Sequence, residues 1–378
     1  MSSEKKDYIP EFDGLRALAA LAVVLGHTTG GASILKLVKT PGQAVTFFFV
    51  LSGFLITGIL LGMRNRVETK TSRPGAELRI FYCRRALRIF PPFYAFLLFF
   101  LIIGTPFIVD TFWWHAAYLS NFYPAFHEPL AYPLPHFWTL AVEEQFYLLW
   151  PFIVMFVPAR SLKPVLLAII SMAVVYRCFT ANGSLTMHPA RLSTFAHLDA
   201  LGMGSLLAVL MRENTEQSER RVRQLRWLGL WVGLPGLLLG LLLALPDGGF
   251  PYFHGTFGKL GMALFAVFIL IRFSTPSDTL AARTLRSGPL RFLGQISYGI
   301  YIYHYPFIHL SKGLAKQSEL LSSPAARFAF VLVCTLLTAT ASWFIMERPL
   351  LSLKKFVRYN ASTTKPDLRA KQLVTAAE

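Results

Sequence analysis

The sequence predicts an all-α fold: a polytopic membrane helix bundle of about ten transmembrane helices, with both termini cytoplasmic. Three observations predict it. The chain of 378 residues is 54% hydrophobic and only 15% charged, whereas a soluble domain carries about a quarter charged residues. The apolar residues come in blocks of roughly 20, the length that crosses a bilayer as a helix. The basic residues gather between alternate blocks, as the positive-inside rule requires.

The ten blocks are roughly 12–30, 42–63, 89–109, 138–158, 164–181, 195–211, 227–245, 257–273, 292–311 and 325–346. With the N-terminus inside, 29 of the 37 Lys and Arg residues lie on the cytoplasmic side. None lies between Arg88 and Arg160. Adding or removing one early span would exchange the sides of everything after it and spoil this bias. Lys5 and Lys6 ahead of an apolar run resemble a signal peptide, but nine more spans follow, so the first block is read as an uncleaved helix. Residues 213–224 read as a polar cytoplasmic linker. Residues 1–350 form one transmembrane domain and 351–378 a mobile cytoplasmic tail. The net charge of +17 follows from the topology. Its carriers are spread over six cytoplasmic segments and make no single stripe, which argues against a nucleic-acid partner. Cys83, Cys178 and Cys334 have no metal or redox spacing, and no metal-ligand set is recognised.

The first span reads "DGLRALAALAVVLGH" from Asp13 to His27. Charged groups inside a bilayer cost a few kcal/mol each (about 2.5–3.5 at the helix centre on insertion scales). At about 100° per residue, Asp13, Arg16 and His27 share one helical face, with His27 about 16 Å beyond Arg16. Small side chains separate them, so the face can line a narrow passage. The plainer alternative is an interfacial Asp13–Arg16 cap and a satisfied histidine at the outer boundary. In the second span, "LSGFL" at 51–55 reads as a close-packing site. Before the third, "FYCRRALRIFPP" places Arg84 and Arg88 on one face with Arg85 adjacent. Three guanidiniums suit a polyphosphate. They suit anchoring to anionic membrane lipid as well.

The fourth span opens "HFWTLAVEEQFYLLWP". Glu143 and Glu144 point about 100° apart and cannot share one role. Glu143 and His27 fall at similar depth, and a carboxylate beside an imidazole is what general-base chemistry uses. The alternative is an unrelated intramembrane carboxyl. The sixth span carries Asp199, with Gly202 and Gly204 allowing close helix approach. In the ninth, Ser297, Tyr301 and His304 form a polar face at helical spacing, with an aromatic belt as the alternative for the neighbouring tyrosines.

Seven stretches in this order resemble acyltransferase family 3, bacterial membrane enzymes that O-acylate glycans and some macrolides. They are "FDGLRALAALAVVLGH", "FFFVLSGFLI", "FYCRRALRIFPPFY", "HFWTLAVEEQFYLLWP", "HLDALGMGSLLA", "FLGQISYGIYIYHYPF" and "ERPL", from residue 8 to about 350. The resemblance implies His27 as the essential catalytic residue and matches Glu143, rather than Glu144, to the family's glutamate. It implies Arg16, Arg84, Arg85 and Arg88 on the acyl-CoA side. Asp13, Asp199, Ser297, Tyr301 and His304 remain substrate-binding or structural polar positions. His197 stands where an arginine is expected, and Arg191 is a candidate to compensate. The implied reaction moves an acyl group, acetyl by default, from acyl-CoA to a glycan, glycolipid or glycosylated small-molecule acceptor. No permanently bound cofactor is expected; acyl-CoA is a co-substrate. The expected location is the bacterial inner membrane, in the stand-alone form without an extracytoplasmic hydrolase-like domain. The rival reading is a transporter or proton-coupled carrier using the same buried Asp, Glu and His. It expects internal repeats, and none is visible.

Overall fold

The computed structural model describes residues 8–29, 41–126, 134–180, 189–243, 253–317 and 319–357. Helices α1 (Pro10–Thr29), α2 (Pro41–Glu68), α3 (Pro74–Ile102) and α4 (Pro106–Ala116) each open on proline, whose missing N–H is harmless in a first turn. α5 (Phe137–Phe156), α6 (Ala159–Thr180), the single turn α7 (Pro189–Leu192) and α8 (Leu198–Glu213) follow. α9 (Glu216–Leu228) runs through a π turn at Gly229–Gly233 into α10 (Leu234–Leu243). α11 (Lys259–Ser274), α12 (Leu280–Leu285), α13 (Gly288–Gln295) and α14 (Ser297–Leu314) lead to α15 (Pro324–Ser342). Another π turn, Trp343–Glu347, joins α15 to α16 (Arg348–Ser352). Among the described residues there is no strand.

Among the described residues, seven segments are long and apolar enough to cross a membrane: α2, α3, α6, Thr194–Glu213, Glu216–Leu243, Gly255–Ser274 and Pro324–Phe356. The protein is a multi-pass membrane protein. α1, α5 and α14 are not among the seven. These helices carry Asp13, Arg16, His27, Glu143, Glu144 and His304. Their polar side chains take them out of the set, and the same side chains build the site described below.

α2 lies at the centre and packs on α1, α5, α8 and α11. Within their apolar windows, 61% of α2 and 72% of Thr194–Glu213 are buried, against 17% of Pro324–Phe356. The last segment therefore turns most of its surface outward, and the first two form the core. The α2–α8 seam is made by small residues. Gly53 meets the Leu201 backbone and Gly204 meets the Val50 carbonyl, so closely that a Cβ at either would collide. Ser205 Oγ donates to the Leu201 carbonyl at 2.9 Å. Close approach through small residues is the usual way apolar helices associate where lipid offers no hydrophobic drive. α14 packs against α1, α3 and α15.

Four details depart from the sequence reading. The arginine block is not in a loop: α3 begins at Pro74, so Arg84, Arg85 and Arg88 sit in mid-helix. Residues 213–224 are not a linker. Thr215 and Ser218 form a capping box that starts α9, and reciprocal capping stabilises a helix whose sequence is otherwise polar. The ninth block is divided, with α13 packed against α1 and α14 beginning at Ser297. The chain also stays helical past residue 350, through α16 and a 3-10 turn at Leu353–Phe356. The rest of the expected tail, 358–378, lies outside the described residues, as do Lys5 and Lys6.

The glycine seam predicts a position-specific stability loss. Gly204→Ala should destabilise the purified protein by about 1–3 kcal/mol, the usual cost of forcing extra atoms into a packed core. Gly58→Ala, where nothing stands within 4 Å, should not. Thermal unfolding in detergent distinguishes them, and equal behaviour would show that the seam is loose.

Candidate active site

Two cavities adjoin inside the bundle. The first, with about 860 Å³ of empty space, is lined by Arg16, Arg85, Arg88, Ser52, Glu143 and Glu144, with Ser297 and Tyr298. The second, about 830 Å³, is lined by His27, His136, Trp138 and Tyr305. Val45, Thr139 and Tyr301 line both, so they form the wall between them. That wall is hydrogen-bonded. Thr139 Oγ1 and the Tyr301 hydroxyl are 2.5 Å apart. Each also reaches the His136 backbone carbonyl, at 2.8 and 3.0 Å.

His27 occupies the last turn of α1. Its Nδ1 lies 2.9 Å from His304 Nε2. His304 Nδ1 in turn lies 2.7 Å from the Tyr301 backbone carbonyl. A carbonyl oxygen only accepts, so His304 Nδ1 carries the proton. In the neutral ring its Nε2 then accepts, and His27 Nδ1 donates to it. The lone pair of His27 is left on Nε2. Tautomers are assigned from such networks, and this one leaves a base on the His27 ring. Tyr305 meets the ring edge-on at 5.6 Å and 81°, and it stacks on His136 at 5.1 Å.

Glu143 is not beside His27. Its carboxylate accepts from Ser52 Oγ at 2.6 Å, and the Tyr147 hydroxyl donates to the same Ser52 oxygen at 3.0 Å. The reason is depth along α5. Glu143 follows Thr139 by one turn on the same face. Thr139 belongs to the wall, so Glu143 falls on the arginine side of it. The place beside His27 is taken by His304, because α14 packs on α1. Glu143 and Glu144 also line the same cavity, although adjacent positions on a helix point apart.

The arginines separate in the same way. Arg85 lies over the Tyr147 ring at 4.5 Å and, with Arg16 and Arg88, lines the first cavity. Arg84 does not line it; its Nη1 donates to the Val357 carbonyl at 3.1 Å. Asp13 pairs with Arg16 at 3.0 Å and accepts from the Tyr8 hydroxyl at 2.5 Å. Burial, then the bond to Asp13, raises the pKa of that hydroxyl at the helix entrance. Asp199 lines neither cavity. It is buried in a two-pronged pair with Arg177, at 2.6 and 2.5 Å. The guanidinium expected near Asp199 thus comes from α6. His197 bonds the Arg191 backbone carbonyl at 2.9 Å and packs against Trp138.

Sequence reasoning missed three lining residues. Ser52 was read as packing only, although it stands beside Gly53 in the same motif. Thr139 lies four residues before Glu143, a spacing that shares a face. His136 opens the fourth-span motif, but its neighbours are all apolar or aromatic and hide it.

The model of an acyltransferase domain family matches residues 9–347. The chain belongs to that family. The peptidoglycan O-acetyltransferase OatA of Listeria monocytogenes is 28% identical over 91% of this chain and 56% of its own length. A putative peptidoglycan O-acetyltransferase of Bacillus subtilis, YrhL, is 30% identical over 91% of this chain and 55% of its own. The O-acetyltransferase OatA of Staphylococcus aureus is 26% identical over 91% and 57%. The chain therefore spans just over half the length of these curated relatives. No solved structure matches it. Both cavities and the wall between them fall inside the stretch that the acyltransferase model covers.

The Arg177–Asp199 pair predicts a stability effect separate from chemistry. Arg177→Ala leaves a buried carboxylate uncompensated, and breaking such a pair costs about 3–5 kcal/mol. The variant should unfold at lower temperature in detergent. The double change Arg177→Met with Asp199→Leu should recover much of the loss. If it does not, the pair does more than satisfy itself.

Proposed function

We propose that the protein is an O-acyltransferase that moves an acyl group, acetyl by default, from cytoplasmic acyl-CoA to a hydroxyl of a glycan or related glycosylated acceptor. The observation that carries this reading is the pair of adjoining cavities, with guanidiniums in one and the His27 lone pair in the other. The relatives' names support acetyl transfer to a glycan. Family membership favours acyl transfer over the carrier alternative. In this reading the chain crosses the bacterial cytoplasmic membrane ten times with both termini inside, and the arginine cavity opens to the cytoplasm.

The donor's phosphates bind Arg16, Arg85 and Arg88, which offer planar forks of donors to phosphate oxygens. Glu143 and Glu144 moderate that positive charge. The thioester reaches the wall at Thr139 and Tyr301. An acceptor hydroxyl in the second cavity gives its proton to His27 Nε2 as its oxygen attacks the thioester carbonyl. The new C–O bond forms, the C–S bond breaks, and the proton on His27 passes to the departing sulfur. The Thr139 and Tyr301 hydroxyls each have one proton, given to the His136 carbonyl or to each other in the resting wall, so one must turn from the His136 carbonyl to reach the thioester oxygen, where negative charge develops. An acyl group carried transiently on His27 is the mechanistic variant.

Two experiments test the reading. In membrane vesicles supplied with labelled acetyl-CoA, His27→Ala should abolish transfer. His304→Ala should lower kcat by about a hundredfold or more, the scale of losing a positioned base. Near-normal transfer by a well-expressed His27→Ala protein would sink the mechanism. The second replaces Arg16, Arg85 and Arg88 by Lys. Inside-positive charge is kept, so insertion should be normal, while loss of the bidentate fork should raise the acetyl-CoA requirement by about tenfold or more. An unchanged requirement would leave lipid anchoring as the role of these cations.

A further inference from the structure

The arginines of α3 have a cationic neighbour that neither their sequence motif nor the lining of the first cavity reveals. Lys354 lies in the 3-10 turn after α16, far along the chain from α3. The bond from Arg84 Nη1 to the Val357 carbonyl draws this turn against the arginine helix. Lys354 is half-buried there, while Lys355 is exposed. Arg84, Arg85 and Arg88 are the charged groups that act on Lys354, and no carboxylate is among them. Among the described residues, Lys354, Arg85 and Arg88 form no ion pair within 4.0 Å, whereas Arg16, Arg64, Arg66 and Arg177 each do. Packing like charges together costs energy in proportion to their proximity, more so away from bulk water. Glu143 and Glu144 offset the cavity arginines in part and Glu347 acts on Arg88, so Lys354 is the cation of the group that an incoming anion would complete.

Position along α3 orders these cations. Arg84 precedes Arg88 by about 6 Å of helix rise, and only the later residues line the cavity. Val357, which closes the Lys354 turn, is tied to Arg84, while Arg88 is the guanidinium that acts most on Lys354 itself. In a coenzyme A thioester, the phosphate on the ribose ring is the charged group farthest from the reacting carbon. With the diphosphate on Arg85 and Arg88, that terminal phosphate needs a further cation beside them that does not line the cavity.

We propose that Lys354 is a donor-binding residue that grips the ribose phosphate of the coenzyme, a role that rests on the acyl-CoA reading above. The shared chemistry is a phosphate monoester or diester, and an anionic lipid headgroup is the competing source. The experiment uses the full-length protein in phosphatidylcholine vesicles. KM is measured for acetyl-CoA and for acetyl-dephospho-CoA, which lacks only that phosphate. The wild-type protein should need about tenfold more of the dephospho donor, the worth of one charge-assisted bond. Lys354→Gln should raise the acetyl-CoA KM to a similar value, so that the two donors become equivalent. Lys354→Arg should restore most of the preference, and Lys355→Gln should keep it. If the preference is the same with and without Lys354, the inference fails while the donor reading stands. A Lys354→Gln defect that appears only after phosphatidylglycerol is added assigns the residue to lipid and overturns it. A wild-type protein that uses neither thioester overturns the donor reading and this inference together.

Discussion

A charged or strongly polar side chain placed in hydrocarbon must find its partner inside the protein. That constraint organises this bundle. α1, α3, α5 and α14 carry costly residues of the site, α6 and α8 carry Arg177 and Asp199, and α2 packs at the centre of the bundle. Each polar group then finds a short-range solution: His27 with His304, Glu143 with Ser52, Arg177 with Asp199, Asp13 with Arg16. The first two solutions open onto cavities, whereas Arg177 and Asp199 are sealed. A sealed pair is structural because nothing can reach it. An open one offers its remaining lone pairs to a ligand.

The wall of Val45, Thr139 and Tyr301 gives the two open solutions different jobs. On one side the lining is cationic and holds two carboxyls; on the other it is imidazole and aromatic. An enzyme that passes an acyl group through a membrane protein must let a flexible thioester advance without a continuous water column. A wall made of one aliphatic side chain and one hydroxyl pair serves this. Its hydroxyls are bonded to the His136 carbonyl while closed, and one that lets go of it can turn to a carbonyl that arrives. Rigid α2–α8 packing through Gly53 and Gly204 keeps Val45 and Ser52, which share α2, in register with α5.

Much of this was legible in the sequence, for identifiable reasons. Hydropathy and basic-residue placement gave the all-α membrane class, because the bilayer imposes one length scale and one charge bias. Helical spacing placed Ser297, Tyr301 and His304 on one face; in the structure Ser297 and Tyr301 line the first cavity and His304 bonds His27. The interhelical pairing was not legible. Depth along two separate helices was judged from block boundaries, and an error of one turn moves a side chain about 5 Å. That was enough to set Glu143 beside His27, where His304 stands. The arginine block was misjudged in a related way, since hydropathy detects the apolar part of a helix and not its polar start at Pro74. The Arg177–Asp199 pair was hidden because its arginine lies on a helix read as purely apolar.

Exchanging a carboxylate for a second imidazole has a physical consequence for the proposed reaction. A carboxylate beside His27 would fix its tautomer and also stabilise the imidazolium after proton transfer. The chain His27–His304–Tyr301 carbonyl fixes the tautomer with neutral groups alone. It brings no buried negative charge beside His27, which removes a large desolvation cost. It also offers the imidazolium no counter-charge. In a transfer whose leaving group is a thiolate, the base needs to keep the proton only until the sulfur departs. In the proposed reaction the proton passes from acceptor oxygen to sulfur through His27 Nε2 alone, while His304 and the Tyr301 carbonyl hold the ring in the tautomer that leaves that nitrogen free.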